Sequence, residues 1–173
     1  MADTTSYLSR FLYRVLPKFF ATTDSGVSGV LDVDTTAAQT GADTVETTLW
    51  SYTLPANTLS VDGQCLKITA WGTFANTASN TRTIKGKFGA TTVVTSARAQ
   101  TNDTWLCEMY VIRTSATAQK ATGTGNYGGL QDRGVVSPAE TLSGTVTIVI
   151  TGQNGAATAG DITYVGSIVQ ALN

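Results

Sequence analysis

The chain contains no histidine and little glutamate, which occurs only as Glu46, Glu108 and Glu140. Histidine is the commonest general base, metal ligand and pH switch in proteins. Serine and threonine are abundant, but a hydroxyl nucleophile needs a neighbouring base. We therefore expect no enzymatic activity, no cofactor and no metal site.

Charge of either sign is also scarce. Charged residues make up 13% of the 173 residues, the formal net charge is −1 and the pI is about 5.2, whereas a typical soluble domain has about 25% charged residues. No basic excess is available to neutralise phosphates, so we expect no nucleic-acid partner. A weakly charged surface suits a chain that is packed against other proteins.

Cysteine is limited to Cys65 and Cys107, which are too few for a zinc site. Each lies in a strand-like run, where a free cysteine behaves as a small buried hydrophobe; a disulfide between them is the open alternative. The sequence shows no signal-peptide pattern and no run of about 18 apolar residues. We expect synthesis in a cytoplasm and no membrane span.

Residues 1–20 differ from the rest of the chain. Apolar pairs recur every four positions with Arg10, Arg14 and Lys18 between them, which predicts a short amphipathic helix that Pro17 ends or kinks. Such a helix is too short to be stable alone in water. We therefore predict that this apolar stripe binds a partner protein, with its own β domain or a membrane surface as alternatives. The stripe consists of Tyr7, Leu8, Phe11, Leu12, Val15, Leu16, Phe19 and Phe20.

Residues 21–43 are mostly small and polar and show no period, which predicts an extended arm or linker. Val27, Val30, Leu31 and Val33 could form a short strand within it.

Residues 44–173 alternate in the manner of β-strands, with Gly, Asn, Pro and Ser turns between them. Threonine, which suits a pleated surface, is frequent in these strands. We predict an all-β fold: an antiparallel β-sandwich, jelly-roll-like, of two four-stranded sheets. The eight predicted strands are Thr47–Leu54, Cys65–Phe74, Thr81–Phe88, Thr91–Ser96, Asp103–Thr114, Gln119–Tyr127, Thr145–Thr151 and Asp161–Leu172.

Few carboxylates are candidates for chemistry. Asp32, Asp34 and Asp43 lie in the linker without a His or Glu partner, which favours turn and capping roles. Glu108 lies among apolar residues in a predicted strand. We expect it to face solvent or an interface and to pair with Lys or Arg; an acid with a raised pKa is the alternative.

Two glycine-rich stretches and three tryptophans remain. Gly123–Gly129 and Gly152–Gly155 lack the Lys and following helix of a phosphate-binding loop, so we interpret both as turns, with Asn154-Gly155 as a hairpin signal. Trp50, Trp71 and Trp105 lie in mid-strand and are predicted to pack in the core. A sugar-binding platform is the alternative.

Four segments of the β region together resemble accessory virion proteins of tailed bacteriophages. They are 47–59 (TTLWSYTLPANTL), 66–75 (LKITAWGTFA), 148–155 (IVITGQNG) and 160–162 (GDI). The resemblance covers about residue 44 to the C-terminus, and it implies a jelly-roll domain, usually trimeric, on a capsid or tail.

Two placements follow from this resemblance. The first is a homotrimeric capsid decoration (cement) protein on the outer virion surface, made in the cytoplasm of a bacterial host. The resemblance does not extend to the N-terminal arm, and from its apolar stripe we infer that this arm binds major capsid protein subunits and stabilises the shell. The alternative is a tail or head fibre protein whose β domain recognises a host glycan, or a stand-alone carbohydrate-binding module.

Overall fold

The computed structural model describes residues 29–75, 80–99 and 103–172, which form eleven β-strands. The strands are β1 (Gly29–Asp34), β2 (Ala38–Gln39), β3 (Thr47–Leu54), β4 (Cys65–Phe74), β5 (Arg82–Phe88), β6 (Thr91–Arg98), β7 (Thr104–Ser115), β8 (Ala118–Tyr127), β9 (Leu130–Val136), β10 (Val146–Asn154) and β11 (Ile162–Ala171).

The strands form two antiparallel sheets. The larger sheet has the order β1-β11-β4-β7-β8-β9, with β2 also paired to β11, and the smaller has the order β3-β10-β5-β6. One hydrophobic core lies between them and takes side chains from both. The predicted all-β, antiparallel architecture is therefore confirmed, and the eight predicted strands correspond to β3–β8, β10 and β11.

Strict alternation along the strands builds this core. In β7, Trp105, Cys107, Met109 and Val111 are all buried, as the sequence predicts. Fully burying a valine or methionine side chain contributes roughly 1.5–3 kcal/mol to the free energy of folding. The facing strand β5 comes close at Gly86, where an added Cβ would lie 2.6 Å from the Met109 sulfur. The absence of a side chain at Gly86 lets the two sheets approach here.

The larger sheet has more strands than the predicted four. At one edge, β1 and β2 come from the segment 21–43 that we expected to be an extended arm or linker. β1 contains Val30, Leu31 and Val33, for which the sequence suggested a short strand, and Val33 pairs with Ile168 of β11. At the other edge, β8 forms a hairpin with β9, which the sequence pattern missed. The alternation of apolar and polar residues fails in β9, because Asp132 occupies a position that faces β6. There its carboxylate accepts hydrogen bonds from Ser96 and Arg98.

The second glycine-rich stretch is not a hairpin turn. Gly152 and Asn154 belong to β10, and β10 and β11 lie in different sheets, so no β10–β11 hairpin exists for Asn154-Gly155 to close. The buried Asn154 amide instead donates to the carbonyl oxygens of Gly41 and Thr158, at 2.9 and 2.8 Å. It thereby ties two loops to the end of β10.

The predicted helix at residues 1–20, with its apolar stripe, lies outside the described residues. Within the described ranges, no helix is long and apolar enough to cross a membrane.

Candidate functional site: a groove at Trp71

A groove of about 510 Å3 opens on the outer face of the larger sheet. It lies where β4 and β8 end and β7 and β11 begin. No charged side chain lines it. The lining residues are Trp71, Gly72, Thr73, Thr104, Trp105, Leu106, Asn126, Gly128, Gly129 and Val165.

Trp71 is held in this groove by an irregularity in β11. The register between β4 and β11 shifts between Tyr164 and Gly166, so Val165 bulges outward and Gly166 lies opposite Trp71. A Cβ added at Gly166 would lie 2.8 Å from Cζ2 of Trp71. The indole therefore rests on the Gly166 backbone, which fixes the ring in place.

The floor of the groove is formed by backbone and a second tryptophan. Gly72 faces inward, and a Cβ there would lie 1.9 Å from the Thr163 carbonyl oxygen and 2.6 Å from the Trp105 ring. Trp105 is buried, and its Nε1 donates a hydrogen bond to that same oxygen at 3.2 Å. Because Trp105 satisfies its polar atom internally, only Trp71 presents an indole to the outer face.

The third side of the groove is the β8–β9 hairpin. Its turn is Gly128-Gly129, with φ of 49° and 82°, the left-handed conformation that two-residue hairpin turns favour. Asn126 lies two residues earlier, opposite Leu106 in the register. Its side-chain amide carries both donors and acceptors, as do the hydroxyls of Thr73 and Thr104. The groove thus combines one aromatic ring with neutral polar groups.

The prediction that all three tryptophans lie in the core is correct for two of them. Trp50 and Trp105 are 5% and 1% exposed, whereas Trp71 is only partly buried and lies on the outer face. The prediction for Trp71 is wrong because the neighbouring inward positions of β4 are Ala70 and Gly72. The alternation of β4 itself carries this signal: Leu66, Ile68 and Ala70 point inward, so Trp71 must point outward.

Glu108 behaves as expected. It lies on the outer face of β7 and forms an ion pair with Lys67 of β4 at 3.0 Å. The Lys67 ammonium also lies 5.7 Å from the centre of the Tyr110 ring. The hydrogen bond from Lys67 to Glu108, followed by their charge attraction, raises the pKa of Lys67. This cluster lies outside the groove.

Asp34 and Asp43 have the turn role that we predicted for the three linker aspartates, whereas Asp32 lies within β1 and not in a turn. Asp34 accepts a hydrogen bond from the Thr36 amide at 2.7 Å, and Asp43 accepts one from the Val45 amide at 3.0 Å, which is the turn chemistry expected of Asp. Partial burial, and then the charge of Asp34, raise the pKa of Asp32.

The two cysteines do not form a disulfide, and they lie on opposite faces of the larger sheet. Cys107 faces the core opposite Ala70, while Cys65 faces outward opposite Ile112. Five residues of β4 separate these positions, roughly 16 Å, which is beyond the Cα separation of about 7 Å that a disulfide tolerates. The structure therefore excludes a Cys65–Cys107 disulfide in this fold.

Among residues 29–75, 80–99 and 103–172, no group of three or more Cys, Asp or Glu side chains is arranged to hold a metal ion. The eight stripe residues, Tyr7 to Phe20, lie outside the described ranges.

Comparison with known proteins gives weak similarities. No protein-family model and no curated protein matches the chain. The CBM2 module of the evolved Dit of Lactobacillus casei BL23 phage J-1 aligns over 71% of this chain and 68% of its own, with 11% identity and a TM-score of 0.39. CG-16, a homodimeric agglutinin from chicken liver, aligns over 66% of this chain and 99% of its own, with 10% identity and a TM-score of 0.22. Scores at this level establish neither a common fold nor a common activity.

Proposed function

We propose that this chain is a non-catalytic accessory virion protein of a tailed bacteriophage whose β-sandwich binds a glycan through the Trp71 groove. The observation that carries the glycan is the placement of Trp71. Its indole lies on the outer face of the sheet against the Gly166 backbone, and Asn126 also lines the groove, whose lining includes no charged side chain. Pyranose rings present an apolar C–H face that packs on an indole, and hydroxyls that pair with amides and hydroxyls.

The strand order supports a jelly roll. Without β2, β8 and β9, the two sheets have the orders β1-β11-β4-β7 and β3-β10-β5-β6, the arrangement of two interlocked four-stranded sheets in that fold. Jelly rolls serve as viral capsid domains and as lectin domains, so the order suits both parts of the proposal.

The groove lies far from the point where the N-terminal segment joins the sandwich. β1 begins at Gly29, which pairs with Ala171, and Ala171 pairs with Leu66 of β4. Trp71 and Thr73 follow five and seven residues later in β4, roughly 16 to 23 Å along the sheet. This geometry supports a protein that is attached through residues 1–28 at one end and presents its groove at the other.

A glycan array probed with the full-length chain tests the proposal. We expect binding to a restricted set of glycans, and loss of that binding in Trp71→Ala. An array without bound glycans, or a Trp71→Ala variant that binds equally well, would overturn the glycan assignment. Release of sugar from a bound glycan would overturn the non-catalytic part.

A second candidate function is capsid decoration: a homotrimer on the outer shell that binds major capsid protein subunits through the stripe at residues 7–20. The observation that favours it is exposed apolar surface near the attachment end. Val30 and Val33 of β1 are 59% and 58% exposed, and Leu172 and Ile112 lie exposed on the same face. Apolar patches of this kind mark protein contacts.

The stripe can be tested without removing any strand. Because β1 and β2 belong to the larger sheet, a deletion through residue 43 would damage the sandwich itself. We therefore expect the full-length double variant Phe11→Asp, Leu12→Asp to fold normally and to lose binding to undecorated capsids. Unchanged capsid binding by this variant would contradict attachment through the stripe.

A further inference from the structure

A carboxylate stands at the rim of the Trp71 groove. Asp103 precedes β7, and its Oδ1 accepts a hydrogen bond from the Thr104 amide at 2.7 Å. Its Oδ2 lies against the hairpin turn, since a Cβ added at Gly128 would be 2.1 Å from that atom. Thr104 and Gly128 both line the groove, so the two contacts fix the carboxylate at its edge.

No cation in the lining balances this charge. The groove's polar side chains are the neutral Thr73, Thr104 and Asn126. Lys67 lies on the same face of the sheet, further along β4, where it forms an ion pair with Glu108 of β7. Arg133 of β9 is also exposed on this face, but it donates to Gln131, which lies outside the lining. An anionic ligand in the groove would therefore meet Asp103 at the rim, and no Lys or Arg of the lining would compensate that charge.

We infer that the ligand of this groove is an uncharged pyranose sugar, and that Asp103 weakens the binding of acidic sugars such as uronic and sialic acids. This inference rests on the proposed glycan-binding function. The Asp103 carboxylate is an acceptor for a sugar hydroxyl, so a neutral sugar gains a hydrogen bond where an acidic sugar meets repulsion. Two unit charges about 7 Å apart repel enough, even at the dielectric constant of water, to weaken binding roughly threefold.

Asp103→Asn is the matched variant. The Oδ1 atom of the asparagine can still accept the hydrogen bond from the Thr104 amide. Because asparagine has the same shape as aspartate, the contact with Gly128 is also kept. Only the charge is removed.

The experiment uses the full-length chain, Asp103→Asn and Trp71→Ala on an array of paired probes: glucose and glucuronic acid oligosaccharides, and galactose and galacturonic acid oligosaccharides. We expect the unaltered chain to prefer the neutral member of a bound pair at least about threefold. Asp103→Asn should bring that preference close to one, and raising the salt concentration should reduce it. An unaltered chain that binds the acidic member as well, or a preference that Asp103→Asn leaves unchanged, would overturn the inference.

The experiment distinguishes a failure of this specificity inference from a failure of the proposed glycan-binding function. Suppose that both members of a pair bind, that binding requires Trp71, and that the ratio of neutral to acidic binding is the same in Asp103→Asn as in the unaltered chain. The specificity inference is then wrong and the glycan-binding function stands. If no probe binds and Trp71→Ala is indistinguishable from the unaltered chain, both are wrong.

Discussion

The indole of Trp71 rests on the backbone of Gly166, where a Cβ would lie 2.8 Å from ring atom Cζ2 and 3.1 Å from the Asp34 carbonyl oxygen. A methyl group has no room there unless the indole or β1 moves. Gly166→Ala should therefore lower the free energy of unfolding by about 1–3 kcal/mol and weaken glycan binding. Chemical denaturation and a binding titration measure the two effects.

Gly144→Ala is the control for this substitution. A Cβ at Gly144 would have its nearest neighbour at 3.5 Å, an ordinary contact. We expect it to change neither stability nor binding by a measurable amount. If Gly166→Ala behaves like Gly144→Ala, the indole is not held by the bulge.

A buried ion pair joins the two sheets. Arg82 of β5 donates to Asp161, which immediately precedes β11, at 2.7 Å, and both side chains are fully buried. The guanidinium also lies 5.7 Å from the centre of the Phe74 ring. Asp161→Asn leaves the buried arginine charge without its counter-charge and should cost about 3–5 kcal/mol of stability.

A double-mutant cycle separates the pair from its surroundings. We expect Arg82→Met combined with Asp161→Asn to be less destabilised than the sum of the two single variants, as measured by urea denaturation. Strict additivity, or a loss below about 1 kcal/mol for Asp161→Asn, would contradict a tightly coupled pair.

Glu46 provides a pH-dependent contribution to stability. Hydrogen bonds from Lys85, then Lys87, and a further one from the Thr151 hydroxyl hold the pKa of Glu46 at about 2, below its usual 4.5. Because the pKa is lower in the folded state, this contribution is complete above about pH 4.5 and is lost as the pH falls toward 2. The Glu46→Gln variant should lose less stability over that interval than the unaltered chain. Parallel curves of unfolding free energy against pH would contradict this role.

The two thiols should differ in reactivity. Burial, and then the charge of Glu108, raise the pKa of Cys107 to about 12, and burial raises the pKa of the half-buried Cys65. Since the thiolate is the reactive form, Cys107 should react with a thiol reagent only after unfolding. In Cys65→Ser, titration of the native protein at pH 8 should detect no thiol. A rapid reaction of native Cys65→Ser would show that Cys107 is not buried as described.

Alternation of apolar residues was sufficient to predict eight of the eleven described strands, because each of the eight buries one face against the common core. It fails where another interaction replaces apolar burial. In β9, Asp132 binds Arg98 instead of packing in the core, and β1 carries Val30 and Val33 on its exposed face. Both strands lie at the edges of the larger sheet.

The candidate site was only partly predictable. A sugar-binding platform was the alternative interpretation of the three tryptophans, and the parity of β4 would have separated Trp71 from the other two. The bulge at Val165 and the approach of Asp103 to Gly128 depend on contacts between distant strands and turns. No local pattern in the sequence encodes those contacts.

The most direct test of the central claim compares two aromatic residues on the same sheet face. Trp71 lies in the groove, while Tyr110 lies outside it beside Lys67. Calorimetric titration with a glycan identified on the array should show at least about tenfold weaker binding for Trp71→Ala and unchanged binding for Tyr110→Ala. Equal affinities for Trp71→Ala and the unaltered chain, or an equal loss in Tyr110→Ala, would contradict a binding site at the groove.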